Sequence, residues 1–492
     1  PHIQRLAEQS TVFEAAYCNF PICAPSRFSM LSGRLPHSIG AYDNASEFPS
    51  SIPTLAHYLR HAGYRTILAG KMHFIGADQL HGYEERLTTD IYPADFAWTP
   101  DWLKGPEHRP TGVSMRPVLE AGPCVRSLQI DYDEEVAYKA EQCLYDLARR
   151  PEAEKQAFFL TVSYTHPHPP FVAPQRYWDL YNTADIPLPQ VPEIPYESLD
   201  PHSQWLYIAH AQNLYTVNSA QVQHARHAYY AMVSYTDALI GRVLSALHDT
   251  GLDKDTIVLF CGDHGEMLGE RGMWFKQTFY EQSVRVPFML RLPKELAPAA
   301  AFESPKRIDT PMSLVDVLPS LIELSGQTLA DTLVGKVHGQ SLLPLLRGEQ
   351  RPDAQVIAEY SSEGVCAPSR MLRTERHKLI ITHGLPPLLF DLLHDPLELV
   401  NLAEKAEYQT LLADLYARLT SDWDPKTMHE RILSSQKERL FLAALGQKNN
   451  WAYQPFVDES TRFIRGSGSA GPTSVKARAR FPYVEPVKAD KK

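Results

Sequence analysis

Long apolar runs are missing from this chain: no stretch approaches the roughly 18 consecutive apolar residues that cross a bilayer, so a membrane partner is not expected. Cysteine is sparse. The six residues, at 18, 23, 124, 143, 261 and 366, show no metal-type spacing, which argues against a zinc ribbon and indicates no disulfide framework. An excess of basic charge is absent too, with 48 lysines and arginines against 58 acidic residues and a net charge of −10, so no nucleic-acid partner is expected. Internal repeats are lacking apart from one pentapeptide, Cys-Ala-Pro-Ser-Arg, at 23–27 and 366–370. Position 1 is not methionine. Pro1 leads directly into a helical pattern over 2–7 with proline in its first turn, and a preceding segment is expected. What is present is a chain of 492 residues, 44% hydrophobic and 22% charged, enough for a large soluble core in two lobes.

Three apolar runs of strand length are each followed at once by ionisable residues. Tyr64 to Ala69 precedes Gly70-Lys71-Met72-His73. Ala157 to Tyr164 precedes Thr165-His166-Pro167-His168-Pro169-Pro170, and Thr256 to Cys261 precedes Gly262-Asp263-His264-Gly265-Glu266. Continuous rather than alternating hydrophobicity predicts strands covered on both faces, and helical patterns lie between them, as over 221–248. That order predicts a doubly wound α/β sheet with helices on both faces. Ligands of such sheets bind at the carboxyl ends of the strands, so the three polar clusters should converge.

A fourth segment carries the chemistry. The run Ile22-Cys23-Ala24-Pro25-Ser26-Arg27-Phe28-Ser29-Met30-Leu31-Ser32-Gly33-Arg34 resembles the signature of the type I sulfatases, Cys-x-Pro-x-Arg with a Leu-x-Ser/Thr-Gly-Arg tail. In that family, a branch of the alkaline-phosphatase superfamily, the cysteine is oxidised to formylglycine. Its hydrate bears two hydroxyls on one carbon: one attacks sulfur, and the other expels sulfate by collapsing to the aldehyde. The covalent step splits one hard hydrolysis into two easier ones. The repeat at Cys366 is followed by Met371-Leu372-Arg373-Thr374, without the Ser-Gly-Arg tail, and is read as coincidence.

The resemblance implies roles residue by residue. Cys23 is the nucleophile, with Arg27, Lys71, His73, His168 and Lys276 around the sulfate. Lys71 and Lys276 would neutralise the nonbridging oxygens, and His73 would take the proton whose loss expels sulfate. His168 or His166 would protonate the departing oxygen, and the sequence does not choose between them. Asp263 and His264, with an oxygen of the modified residue 23, would hold a divalent cation. Oxygen-rich ligation favours Ca²⁺, with Mg²⁺ or Mn²⁺ as alternatives. Further acidic ligands in this family come from a strand before the first helix, outside this sequence.

The resemblance narrows to the choline sulfatases through Gly70-Lys71-Met72-His73-Phe74, the tract from His81 to Phe96, the run from Asp263 to Lys276, Glu359-Tyr360-Ser361-Ser362-Glu363-Gly364 and Tyr453-Gln454-Pro455-Phe456. Asn44 then matches a pocket asparagine, and Trp98 and Glu363 match positions facing a quaternary ammonium head. Such a group is recognised by aromatic faces and a counter-charge. Two places depart from that pattern. Arg465 to Pro472 lacks the acid of the family's tail, and Thr111-Gly112-Val113-Ser114-Met115 replaces an aromatic-His-Asn run.

The expected organisation is a catalytic domain over 1–345, a smaller C-terminal α+β domain over 346–446, and an extended tail over 447–492. Runs at 356–360, 378–382 and 387–392 read as strands of a short antiparallel sheet, and 411–419 as an amphipathic helix. The implied activity is hydrolysis of a small alkyl sulfate ester, choline-O-sulfate first. A phosphonate monoester or phosphodiester hydrolase of the same superfamily is the alternative, and an inactive fragment or binding protein is the non-enzyme reading. A formylglycine-generating or equivalent maturation enzyme, a homo-oligomer (dimer or tetramer) and a bacterial cytoplasmic setting are the partners and place that the resemblance implies.

Overall fold

A computed structural model describes residues 1–293 and 306–445. The stretch Tyr453 to Phe456, the departure at Arg465 to Pro472 and the expected tail lie outside the described residues. The strand Arg65–Gly70 is the middle of a parallel three-stranded sheet, between Glu85–Arg86 and Phe158–Ser163. A second, mixed sheet runs Lys306–Ile308, Thr11–Phe13, Phe288–Arg291, Val258–Cys261 in spatial order. The three expected strands therefore form, within two residues of their predicted ends.

Helices cover both faces of the parallel sheet because side chains alternate along a strand. Leu68 joins a buried cluster with Phe28, Leu55, Leu59, Leu318 and Ile322, from three helices on one side. Its neighbour Ala69 packs instead with Tyr132, Val136 and Ala140 of the helix Leu128–Ala148. One expectation is corrected here. Phe158–Ser163 and Val258–Cys261 are partly exposed along their whole length rather than covered, because among the described residues each is an edge strand of its sheet.

Beyond residue 345 the chain forms a four-stranded antiparallel meander, Val356–Tyr360, Ser369–Arg373, His377–Thr382 and Leu388–Asp391, followed by helices Gln409–Leu419 and Pro425–Ala444. The sequence reading finds three of these strands and the first helix. Ser369–Arg373 escapes it because two of its five residues are arginines, and Arg370 is buried by pairing with Glu359 and Asp422. The last helix escapes because its buried stripe is Met428, Ile432, Gln436 and Arg439, half of it polar. One hydrophobic cluster runs from Phe13 and Phe28 through Leu345 to Tyr360, Met371 and Leu389, across position 345. Among the described residues no helix is long and apolar enough to cross a membrane.

Candidate active site

Ile22 is extended, and Cys23 then opens the helix Cys23–Ser32, which Gly33 ends in the left-handed conformation at φ 65°. Pro25 lies in the first turn, where the missing N–H costs no hydrogen bond. The helix start directs free N–H groups and the positive end of its dipole toward residue 23. Asn44 Oδ1 accepts one of those donors, the Ala24 N–H, at 3.0 Å. Cys23 is 1% exposed, and its Sγ lies 3.3 Å from Lys71 Nζ and 3.3 Å from His264 Nε2. Burial, the largest influence, would raise the thiol's pKa. Lys71, Lys276 and His264 together outweigh it and hold the thiol well below its ordinary value.

Arg27, one turn further, is what gathers the strand ends. Its Nε donates to Asp263 Oδ2 at 2.8 Å, and its Nη1 donates to the Lys71 carbonyl at 2.7 Å and Ser163 Oγ at 2.8 Å. These three residues lie at or just past the carboxyl ends of Val258–Cys261, Arg65–Gly70 and Phe158–Ser163, so the convergence predicted from sequence occurs. Close approach there requires glycine at position 70. With φ at 107°, a Cβ would meet the Ser163 carbonyl oxygen at 2.0 Å. Burial raises the Asp263 pKa, but Arg27 and His264 overcome it and keep the carboxylate ionised far into acid. Cys23, Asp263 and His264 offer ligand atoms within 4.8 Å of one another, and Arg27 occupies only one oxygen of Asp263. The donor set thus fits a divalent cation, with position 23 able to contribute oxygen once its sulfur is replaced.

The opposite wall is aromatic. Tyr92 stacks on His73 at 4.6 Å between ring centroids and meets Trp98 at 5.4 Å and His168 at 5.8 Å edge to face. Lys71 Nζ lies 4.7 Å from the same ring. Tyr92 therefore touches four of the expected site residues, yet sequence reasoning assigns it no role; the only signal is its place in the tract from His81 to Phe96. Asp90, also without a role in the sequence reading, accepts the N–H groups of Met72 and His73 at 2.9 and 2.8 Å and pairs with Arg86 at 2.7 Å. It holds His73 in the left-handed region, at φ 59°. Burial lowers the pKa of His73, with the Cys23 thiolate and Asp90 opposing, and neither ring nitrogen has a hydrogen-bond partner among the described residues.

His168 and His166, left open by the sequence, separate. His168 donates Nδ1–H to the Pro169 carbonyl at 2.7 Å, which leaves Nε2 unprotonated in the neutral ring. Burial first, then Lys276, pushes its pKa down to about 3. His166 is corrected: it is not at the substrate pocket. Its Nδ1 binds Asp133 at 2.6 Å and its ring packs edge to face on Tyr235 at 4.9 Å, fully enclosed between two helices. An ion-pairing partner on the helix behind the strand draws it inward.

Glu363 is 5% exposed, and burial pushes its carboxyl up to about 7. Thr111 Oγ1 donates to Glu363 Oε1 at 2.6 Å. Lys276 is buried, and its charge lowers the pKa of Glu363, Cys23 and His168. Cys366 stands apart. It lies in a bend before a strand rather than at a helix start, and burial raises its thiol pKa.

The α/β sheet, its helices and the cluster at the strand ends define an alkaline-phosphatase-like hydrolase. The sulfatase family's sequence model matches residues 1–327, and that of the N-sulphoglucosamine sulphohydrolase C-terminal region matches 269–424. A choline-sulfatase of Rhizobium meliloti (strain 1021) is 42% identical over 474 residues, covering 94% of this chain and 90% of the relative. Arylsulfatase K of Gallus gallus is 30% identical, covering 82% and 74%. The chain belongs to the sulfatase family, and it is a sulfatase enzyme similar to choline-sulfatase. Among solved structures, a phosphonate monoester hydrolase from Silicibacter pomeroyi superposes with a TM-score of 0.67 at 24% identity, covering 86% of this chain and 89% of that one. A protein solved in complex with its substrate D-glucosamine-2-N,6-O-disulfate gives 0.66 at 22%, covering 86% and 94%. These two likenesses concern the fold alone.

Proposed function

We propose that this sulfatase cleaves choline-O-sulfate, or a closely similar small alkyl sulfate, to the alcohol and sulfate, with Cys23 matured to formylglycine. The observation that carries the reading is the cationic nest around Cys23, whose Sγ stands where an oxygen of the aldehyde hydrate would be. Lys71 and His264 lie within 3.3 Å of it. A divalent cation held by Asp263, His264 and residue 23, Ca²⁺ by preference and Mg²⁺ or Mn²⁺ otherwise, would supply Lewis acidity and help ionise the attacking hydroxyl.

The chain's own side chains do the rest. Lys71 and Lys276 face the charge that grows on the nonbridging oxygens, and Arg27 holds the strand ends at Lys71, Ser163 and Asp263. His73, a neutral imidazole beside Cys23 whose ring nitrogens have no hydrogen-bond partner among the described residues, accepts a proton. His168 is neutral before substrate arrives; an anionic sulfate beside Nε2 favours its protonation, and it then donates to the leaving oxygen. Asn44 orients the helix start. Tyr92 and Trp98 present faces to a trimethylammonium group, for which aromatic contacts are worth about 2 kcal/mol or more when desolvated, and Glu363 supplies a counter-charge when ionised.

Choline-O-sulfate, an aryl sulfate and a phosphate diester should be compared as substrates of full-length protein from a host that generates formylglycine. Sulfate release fastest by kcat/KM from the choline ester is expected. A preference for the diester would transfer the reading to a phosphonate or phosphodiester hydrolase. Binding without turnover in protein carrying the aldehyde would make it a binding protein.

A further inference from the structure

A second group of metal-type donors lies away from the Cys23 cluster. His37, in the short helix Pro36–Ile39, His338 and Asp422 offer ligand atoms within 4.8 Å of one another. Each is held by a neighbour that leaves another donor atom outward. His37 Nδ1 donates to Glu359 Oε1 at 2.6 Å, so in the neutral ring Nε2 carries a lone pair. Asp422 gives Oδ1 to Arg370 Nη1 at 2.6 Å, and its Oδ2 faces His37 Nε2 at 3.9 Å. Two acceptors facing each other with no proton between them repel, and a cation removes that repulsion. The carboxylate behind His37 is the arrangement that orients metal-binding imidazoles. His338 approaches His37 with ring centroids 5.7 Å apart, and among the described residues its ring takes part in one long hydrogen bond, from Leu35 N to Nδ1 at 3.2 Å. Coordination by His338 would give up that bond.

We propose that His37, His338 and Asp422 form a second divalent-cation site, suited to Zn²⁺ and distinct from the hard-cation site at Cys23. Two imidazoles and one carboxylate select a borderline transition ion over Ca²⁺. Bond lengths of about 2.0–2.2 Å at tetrahedral angles put donors roughly 3.4 Å apart, so the 3.9 Å span needs to close only slightly. Glu359 and Asp422 face one guanidinium, Arg370, which leaves one net negative charge with neutral imidazoles; Lys336 nearby is exposed. His338 is also tied by its backbone N–H to the Gly33 carbonyl at 2.7 Å. The ion would therefore clip the end of the Cys23 helix to the turn between the last two described helices.

The test titrates Zn²⁺ calorimetrically into the full chain in excess Ca²⁺, comparing wild type with His338→Gln and Asp422→Asn. One Zn²⁺ per wild-type chain is expected, with a rise of a few degrees in its melting temperature. Both variants should bind at least about tenfold more weakly and lose the thermal shift. Asp422→Asn keeps an oxygen for Arg370 and serves if His338→Gln does not fold. Equal Zn²⁺ binding by wild type and a folded variant overturns the site. So does no binding by wild type, which would instead place a shared proton on His37 between Glu359 and Asp422.

Discussion

Thr111 donates its hydroxyl to Glu363 at 2.6 Å, and both residues are set where this chain meets or leaves the choline-sulfatase pattern. Thr111 begins the segment that departs from it, and Glu363 keeps it. The bond fixes the carboxyl and opposes the burial that raises its pKa to about 7. Below that value Glu363 is neutral; above it the carboxylate can attract a cation. KM for choline-O-sulfate should therefore fall as pH rises through about 7, while KM for an aryl sulfate, which has no cationic head group, does not follow. Glu363→Gln should flatten the profile. Parallel curves for both esters in wild type would remove Glu363 from substrate recognition.

Arg27 holds three strand ends with one guanidinium, and Asp263 loses its ion-pair partner without it. Arg27→Ala should cost about 3–5 kcal/mol, the range for breaking a buried pair and leaving one charge behind. Urea unfolding measures it. Asp263 has a depressed pKa, so its contribution is complete above about pH 4, the unfolded carboxylate's pKa, and is lost on acidification. In Arg27→Ala that acid dependence should shrink; an unchanged dependence would contradict the pairing.

The aromatic wall should act on the alcohol part of the substrate. Trp98→Ala removes a ring that touches both His73 and Tyr92. It should raise KM for choline-O-sulfate about tenfold or more, against a much smaller change for an aryl sulfate. Equal losses on both esters would make Trp98 a packing residue.

His168 and His166 should differ in kind. His168→Ala is expected to lower kcat by about 10²–10⁴ with little change in melting temperature. His166→Ala leaves the buried Asp133 with only the backbone donors of residues 165 and 166 and should instead lower stability, by about 1–3 kcal/mol, with a smaller loss of kcat. Thermal melts and steady-state rates on both variants distinguish the two. A large kcat loss from a fully folded His166→Ala would return it to the catalytic group.

Much of this protein could be read along the chain. Strand-length apolar runs ending in Lys71, His168 and Asp263 announce a layered α/β sheet whose chemistry stands at one end of its strands, although only Arg65–Gly70 of the three is buried in the middle of its sheet. The tail after Cys23 distinguished it from Cys366, since only the former continues into a helix with glycine at its close. What the tertiary structure alone decided is which side chains meet. Asp90 behind His73, Thr111 on Glu363 and Asp133 holding His166 are contacts between residues 17 to 252 positions apart, and Tyr92 reaches His168 from 76 positions away. Periodicity reports which face a residue takes, not which distant residue lies opposite. The strand Ser369–Arg373 shows the same limit, because an arginine is buried only when a carboxylate from another segment arrives beside it, and no local pattern records that arrival.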